Sequence, residues 1–258
     1  MKMRKTVVNK YARIVNKVVY IVLYYLFSHR KHVVRLSKYG LTNIKTHQIR
    51  RWLRVVRGEK LVRFYYHAKL NNKPCFVKMA KQDSTLKNEI FINKYLTQCG
   101  ATFAPRLLIS DENYDKDTTM MVFETIVDVR EFELPDNEAT LESICECFED
   151  IYKFFLEHGI VHGDINESNL LLSQDNQIIL LDFGLASSLE SDISSLRDSV
   201  QHGYYYQFSA NARIYDDAYS FLKMLDDSGV PEAFKKKECY QRIEKLVGVH
   251  SRSIIPNR

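Results

Sequence analysis

A chain of 258 residues that is 45% apolar and 27% charged has the make-up of a soluble globular protein, long enough for one domain with a substantial core. Five scattered cysteines form no C-x-x-C pair and no Cys/His metal spacing, which argues against a disulfide framework or a zinc site and is read as reduced thiols. The net charge of +5 hides a division: residues 1–60 hold sixteen Lys/Arg and one acidic residue, Glu59, whereas residues 61–258 hold twenty-one Lys/Arg and thirty-one Asp/Glu.

The basic head opens with Lys2, Arg4, Lys5, Lys10, Arg13 and Lys17, followed by ten apolar residues from Val18 to Phe27. That run is too short for a transmembrane helix, which needs roughly 20 residues. No small-residue cleavage site follows Phe27, so a signal peptide is not expected either. Val7, Tyr11, Ile14, Val18, Ile21, Val22 and Tyr25 recur at helical spacing with cations between them, the pattern of a basic amphipathic helix lying in a membrane interface. The same stripe also suits a helix packed on the body of the protein. An anionic membrane surface is the expected partner, because cations beside such a surface contribute about 1 kcal/mol each. Nucleic acid is not expected, since no RNA-binding motif accompanies the aromatic and basic residues.

From Ile49 the pattern turns strand-like, with strands expected at Arg50–Val56, Lys60–Leu70 and Cys75–Met79, the last two joined by a turn at Asn71-Asn72-Lys73. The loop Arg57-Gly58-Glu59-Lys60 separates the first two. A helical pattern running from Leu86 to Leu96 contains Glu89, and Arg106–Ser110 and Thr119–Glu124 read as a strand pair that runs on to Ile126. Leu141, Ile144, Phe148, Ile151 and Phe155 mark a long amphipathic helix that Gly159 ends.

The most informative stretch is His158–Ser187. It contains His162-Gly163-Asp164, then Asn169, then Asp182-Phe183-Gly184. Strands expected at Asn169–Leu172 and Ile178–Leu181 form a hairpin that puts Asn169 and Asp182 at neighbouring strand ends. Phosphoryl transfer is mostly positioning and charge neutralisation: one carboxylate orients the attacking hydroxyl, and an amide oxygen and a second carboxylate hold Mg²⁺ against the phosphates. Further on, Asp216 and Asp217 open another helical pattern, Asp217-Ala-Tyr-Ser-Phe.

These motifs resemble those of the protein-kinase-like superfamily over roughly Ile49 to Leu225. The resemblance implies an α+β, two-lobed fold with a small antiparallel-sheet lobe and a larger helical lobe, preceded by the basic amphipathic helix. The implied segments are 1–48 for the basic head, 49–126 for the N-lobe and 127–258 for the C-lobe. It implies ATP and Mg²⁺ as cofactors, Asp164 as base, and Asn169 and Asp182 as metal ligands. Lys78 would contact the α- and β-phosphates, with Glu89 as its ion-pair partner, and the loop bearing Gly58 would cover the phosphates. The backbone of Glu124 and Ile126 would bond adenine beside Phe123, and Asp128 would reach the ribose. His162, Gly184 and Asp217 would support the site, Asp217 by bracing the catalytic loop; helix capping by Asp216 or Asp217 is the alternative.

The departures from protein kinases are a single glycine in the phosphate loop, Gly163 in place of an arginine, and a short segment after Gly184 with no A-P-E motif. His202–Phe208 lies where an acceptor would bind, or packs the core. These features look like the compact phosphotransferases, among them the lipopolysaccharide-core heptose (II) and Kdo kinases, the aminoglycoside and choline kinases and the RIO-type kinases. The expectation is a kinase acting on a sugar hydroxyl of a glycolipid acceptor, in the cytoplasm and peripheral at the inner face of a bacterial cell membrane. A RIO-like protein kinase or other small-molecule kinase, and a nucleotide-binding pseudokinase, are the alternatives.

Overall fold

The computed structural model describes residues 29–46, 63–81, 83–115, 118–187, 205–208 and 213–254. The expected interfacial helix before residue 29, the strand at Arg50–Val56 and the loop bearing Gly58 lie outside the described residues. The fold is α+β and divides into two compact units. One gathers the described residues before Asp83 with Leu108–Thr125; the other gathers Asp83–Leu107 with the residues from Ile126 onward.

The first unit is a five-stranded antiparallel sheet. Its strands are β1 (Leu41–Thr46), β2 (Arg63–Leu70), β3 (Lys73–Lys81), β4 (Leu107–Asp115) and β5 (Thr118–Glu124), in the order β1-β2-β3-β5-β4. β2 and β3 meet at the pair Leu70↔Lys73, so the connection is two residues long. Asn71 and Asn72 both take positive φ, 51° and 64°, as the tight hairpin turn that matches strand twist requires. Alternation buries Tyr66, Ala68, Cys75, Val77 and Met79, whereas β5, flanked on both sides, is buried from Thr118 to Phe123.

β1 lies ahead of residue 49, where the sequence opened the sheet. Leu41-Thr-Asn-Ile-Lys-Thr has β-branched Thr42, Ile44 and Thr46 at alternate positions, a strand pattern that falls inside the segment read as the basic head, and its pairing with β2 shifts register between Thr42 and Lys45. Before it, α1 (Arg30–Ser37) lies against the same sheet: Leu36 is fully buried, His32 Nδ1 lies 2.8 Å from the Tyr66 hydroxyl, and Arg35 pairs with Asp115. The end of the basic head therefore packs on the sheet.

The second unit begins with α2 (Ser84–Gln98), capped by Asp83, whose carboxylate accepts from Thr85 N at 3.0 Å. The long helix α3 (Glu138–His158) is capped by Asn137 and stopped by Gly159 at φ 61°, a left-handed C-cap that glycine adopts at little cost. Three-stranded sheets are formed by β6 (Val129–Glu131), β7 (Leu170–Ser173) and β8 (Ile178–Leu180), and by β9 (Tyr205–Phe208), β10 (Arg213–Asp216) and β11 (Ser251–Ile254). Helices α4 (Asp217–Asp227) and α5 (Glu238–Glu244) pack on α3 and on each other. The core centres on Phe148 of α3, stacked on Phe221 of α4 with ring centroids 3.9 Å apart, and both are fully buried. No helix among the described residues is long and apolar enough to cross a membrane.

All five cysteines are free thiols. Phe148→Ala should lower the unfolding free energy by about 3–5 kcal/mol, as removal of a buried aromatic ring does. Urea denaturation checks this beside exposed Glu146→Ala, which should change stability by no more than about 0.5 kcal/mol.

Candidate active site

The hairpin of β7 and β8 sets the centre of the site. Its register pairs Leu170 with Leu180 and Leu172 with Ile178, and Leu181 N donates to Asn169 O at 2.8 Å, extending the ladder by one step. Asn169 and Asp182 consequently flank the same end of the hairpin, in the second unit. Asp182 has a left-handed backbone, φ 59° and ψ 65°, unusual for a residue with a side chain and the kind of strain that marks functional positions.

Asp164 is held at both carboxylate oxygens. Asn169 Nδ2 donates to Oδ2 at 2.8 Å and Asn166 Nδ2 donates to Oδ1 at 3.0 Å; each amide also reaches the Asp164 carbonyl at 3.0 Å. Burial pushes the Asp164 carboxyl up to about 7; the Asn169 and Asn166 amides oppose that shift and the nearby Asp182 charge adds to it. Asn166 was not singled out in the sequence. Its side-chain oxygen also accepts from Ser168 N at 3.0 Å, capping the short 3-10 turn Glu167–Asn169.

The loop that presents Asp164 is braced from α4. Asp217 accepts from His162 N at 2.6 Å and from Gly163 N at 3.0 Å. Asp216 does the capping, accepting from Tyr219 N at 2.8 Å and from Gly248 N at 2.7 Å. The carboxylate that reaches the loop is thus Asp217, the one named for that contact in the sequence, and the cap that the sequence left open between the two is Asp216. Burial outweighs the two backbone donors and raises Asp217 to about 7.

His162 is fully buried, and burial lowers its pKa to about 4, so it is neutral at ordinary pH. Its Nδ1 accepts from Asp164 N at 3.3 Å, which leaves the ring proton on Nε2 to donate to Leu181 O at 3.1 Å. One imidazole therefore ties the catalytic loop to the strand entering Asp182, with the Phe183 ring 4.6 Å away.

Two glycines are fixed by their neighbours. Gly163 has φ 78°, and a Cβ there would stand 2.8 Å from the Leu185 carbonyl oxygen, so the arginine common in protein kinases has no room. A Cβ at Gly184 would meet Asp182 Oδ1 at 3.2 Å and Thr85 Cβ at 3.3 Å.

Helix α2 also grips the turn Phe183–Leu185. Asn88 Nδ2 lies 2.6 Å from the carbonyl of Ala186, 3.1 Å from that of Gly184 and 3.5 Å from that of Phe183. Nothing in the sequence marks Asn88, because its partners are backbone carbonyls nearly a hundred positions away.

The structure therefore brings His162, Asp164, Asn169, Asp182, Gly184 and Asp217 together in the second unit. Glu89 is buried on α2 in that unit, and Ile126 and Asp128 follow β5 there, Asp128 with φ 58°. Lys78 is buried on β3 of the first unit, paired in register with Met121, and Glu124 ends β5, where Thr125 N donates to Pro74 O at 3.3 Å. Oxygen donors from an amide and a carboxylate are the set Mg²⁺ prefers. Asn169 uses its amide nitrogen on Asp164, which leaves its carbonyl oxygen for a cation. Among the described residues no group of three or more His, Cys, Asp or Glu forms a metal cage.

Residues 117–207 match the ABC1 atypical kinase-like domain. Shorter likenesses are to the mitogen-activated protein kinase pmk-3 of Caenorhabditis elegans, 42% identical over 53 residues, and to the serine/threonine-protein kinase PKH3 of Saccharomyces cerevisiae, 36% identical over 45 residues. These cover 20% and 17% of this chain, and 11% and 5% of those proteins. With the fold and the motif geometry, these likenesses support a protein-kinase-like fold, and the chain spans only a small part of the length of the curated relatives it matches.

Proposed function

We propose that the chain is an ATP- and Mg²⁺-dependent phosphotransferase acting on an alcohol. The observation that carries this reading is the placement of Asp164, held at both oxygens by Asn166 and Asn169, beside the hairpin end that bears Asp182. Asp164 accepts the proton of the acceptor hydroxyl as its oxygen bonds to the γ-phosphorus and the bond to the β-phosphate breaks, releasing ADP. Asn169 and Asp182 would hold Mg²⁺, which would supply positive charge to neutralise the phosphates. For Lys78, Glu124 and Ile126 we keep the nucleotide contacts that the resemblance implies.

The acceptor we propose is a sugar hydroxyl of the lipopolysaccharide core, met at the inner face of the cell membrane. The charge of residues 1–60 supports it, since sixteen cations against one acid suit a surface of phosphorylated glycolipid. A protein acceptor is the second reading, favoured by the two short likenesses to protein kinases. Labelled ATP and Mg²⁺, supplied with membrane glycolipids and proteins of the source cell, separate the two: label in glycolipid supports the first, label in polypeptide the second. Label in neither would overturn both.

Four outcomes are expected. Asp182→Ala should abolish transfer while the chain remains folded by circular dichroism; retained turnover would remove Asp182 from the metal site. Because Asp164 must be ionised to take a proton, kcat/KM should rise with pH along an acid limb whose midpoint is near 7, the value to which burial raises this carboxyl. Asp164→Asn should remove that limb along with activity. Asn88→Ala should raise the Mg²⁺ concentration needed for half-maximal rate by about tenfold, the usual scale for losing a group that orients metal ligands. Its melting temperature should barely change, and an unaltered Mg²⁺ requirement would show that the grip on the turn Phe183–Leu185 has no bearing on metal binding.

A further inference from the structure

A cavity of about 520 Å³ opens on the side of the second unit formed by α3, the turn of the β7–β8 hairpin and the loop after α2. Its volume falls within the range of small-molecule sites, roughly 300–1,000 Å³. Ala101, Phe103, Ile151 and Phe154 give it an apolar lining, with the Phe103 and Phe154 rings edge to face at 5.1 Å. The half-buried Cys147 thiol stands in the wall, 3.5 Å from Gln177 Oε1 and accepting from Ile178 N at 3.3 Å.

Among the described residues, Asp150 is the one charged residue lining this cavity. Its side chain is 80% exposed, and its partner is Lys153 at 3.5 Å. Lys153 also pairs with Glu149 at 3.0 Å, so a ligand cation that displaces it from Asp150 leaves it with a carboxylate still in hand. An aromatic-lined pocket with a single carboxylate selects a flat apolar body that carries a positive charge.

We propose that this cavity binds a small aromatic molecule bearing an amine. The assignment stands apart from the reading of Asp164 and Asp182, because it uses none of those residues. It does bear on them: Phe103 O accepts from Leu180 N at 2.7 Å, so the loop that walls the cavity also holds β8 two residues ahead of Asp182.

The test uses 1-naphthylmethylamine as probe and 1-naphthalenemethanol as its uncharged counterpart, titrated against the full chain by ligand-observed NMR. The amine should bind about fivefold tighter than the alcohol, the scale of one partly exposed ion pair. Asp150→Asn, an exposed position that leaves the fold intact, should bring the two to parity, and Ala101→Trp, which fills the cavity, should remove both. Equal affinity of amine and alcohol for the unaltered chain, or amine binding that Asp150→Asn leaves unchanged, would overturn the proposal. Should Ala101→Trp fail to fold, the Asp150→Asn comparison decides the matter alone.

Discussion

The geometry of the candidate active site depends on a buried carboxylate. Asp217 is 2% exposed, and its two oxygens take up the backbone N–H groups of His162 and Gly163, which the tight path of the catalytic loop leaves without helix or strand partners. Removing that acceptor would strand two buried donors, at about 1–3 kcal/mol each. Because burial lifts Asp217 to about 7, above its ordinary 3.8, ionising it opposes folding. Its contribution to stability is fully present below the unfolded-state value and is lost as pH rises through about 7. Asp164 has the same sign, so the arrangement that suits chemistry near neutral pH is maintained against the preference of the folded chain.

From that brace, rigidity passes outward through backbone contacts. His162 links Asp164 N to Leu181 O; Val161 and Ser187 exchange hydrogen bonds at 2.9 and 2.8 Å; Asn88 holds the carbonyls between them. The segment from Asp182 to Ser187 is therefore fixed at both ends and gripped in the middle. The phosphotransfer proposed above would need ligands whose places are set before substrate arrives, and these contacts fix the segment through groups outside the Asp164, Asn169 and Asp182 side chains.

Much of this was legible in the sequence because it is local. The interval from Asp164 to Asp182 is a loop and one hairpin, and hairpin register follows from turn length and alternation, so residue spacing stood in for geometry. Fold class was legible through the same local motifs, whose resemblance to the protein-kinase-like superfamily implied an α+β, two-lobed fold. What the sequence did not reveal rests on distant pairing or on weakly patterned segments. β1 is a six-residue edge strand interrupted by a register shift, and only Leu41 of it is buried. Asn88 and Asn166 act through amide nitrogens on partners that no motif encodes. The motif resemblance pointed to Asp217 as the brace, but which of the two adjacent aspartates caps the helix was not legible, because they offer the same chemistry until the backbone aims them.

The close approach of Gly163 to the Leu185 carbonyl limits what this chain can become. Protein kinases that answer to a phosphorylated loop hold that phosphate with the arginine preceding the catalytic aspartate. Here that position has a left-handed backbone and a carbonyl oxygen where a Cβ would stand. No single substitution can install the guanidinium; the loop from Gly184 onward would have to be rebuilt first. That path to covalent control is closed by one interatomic distance.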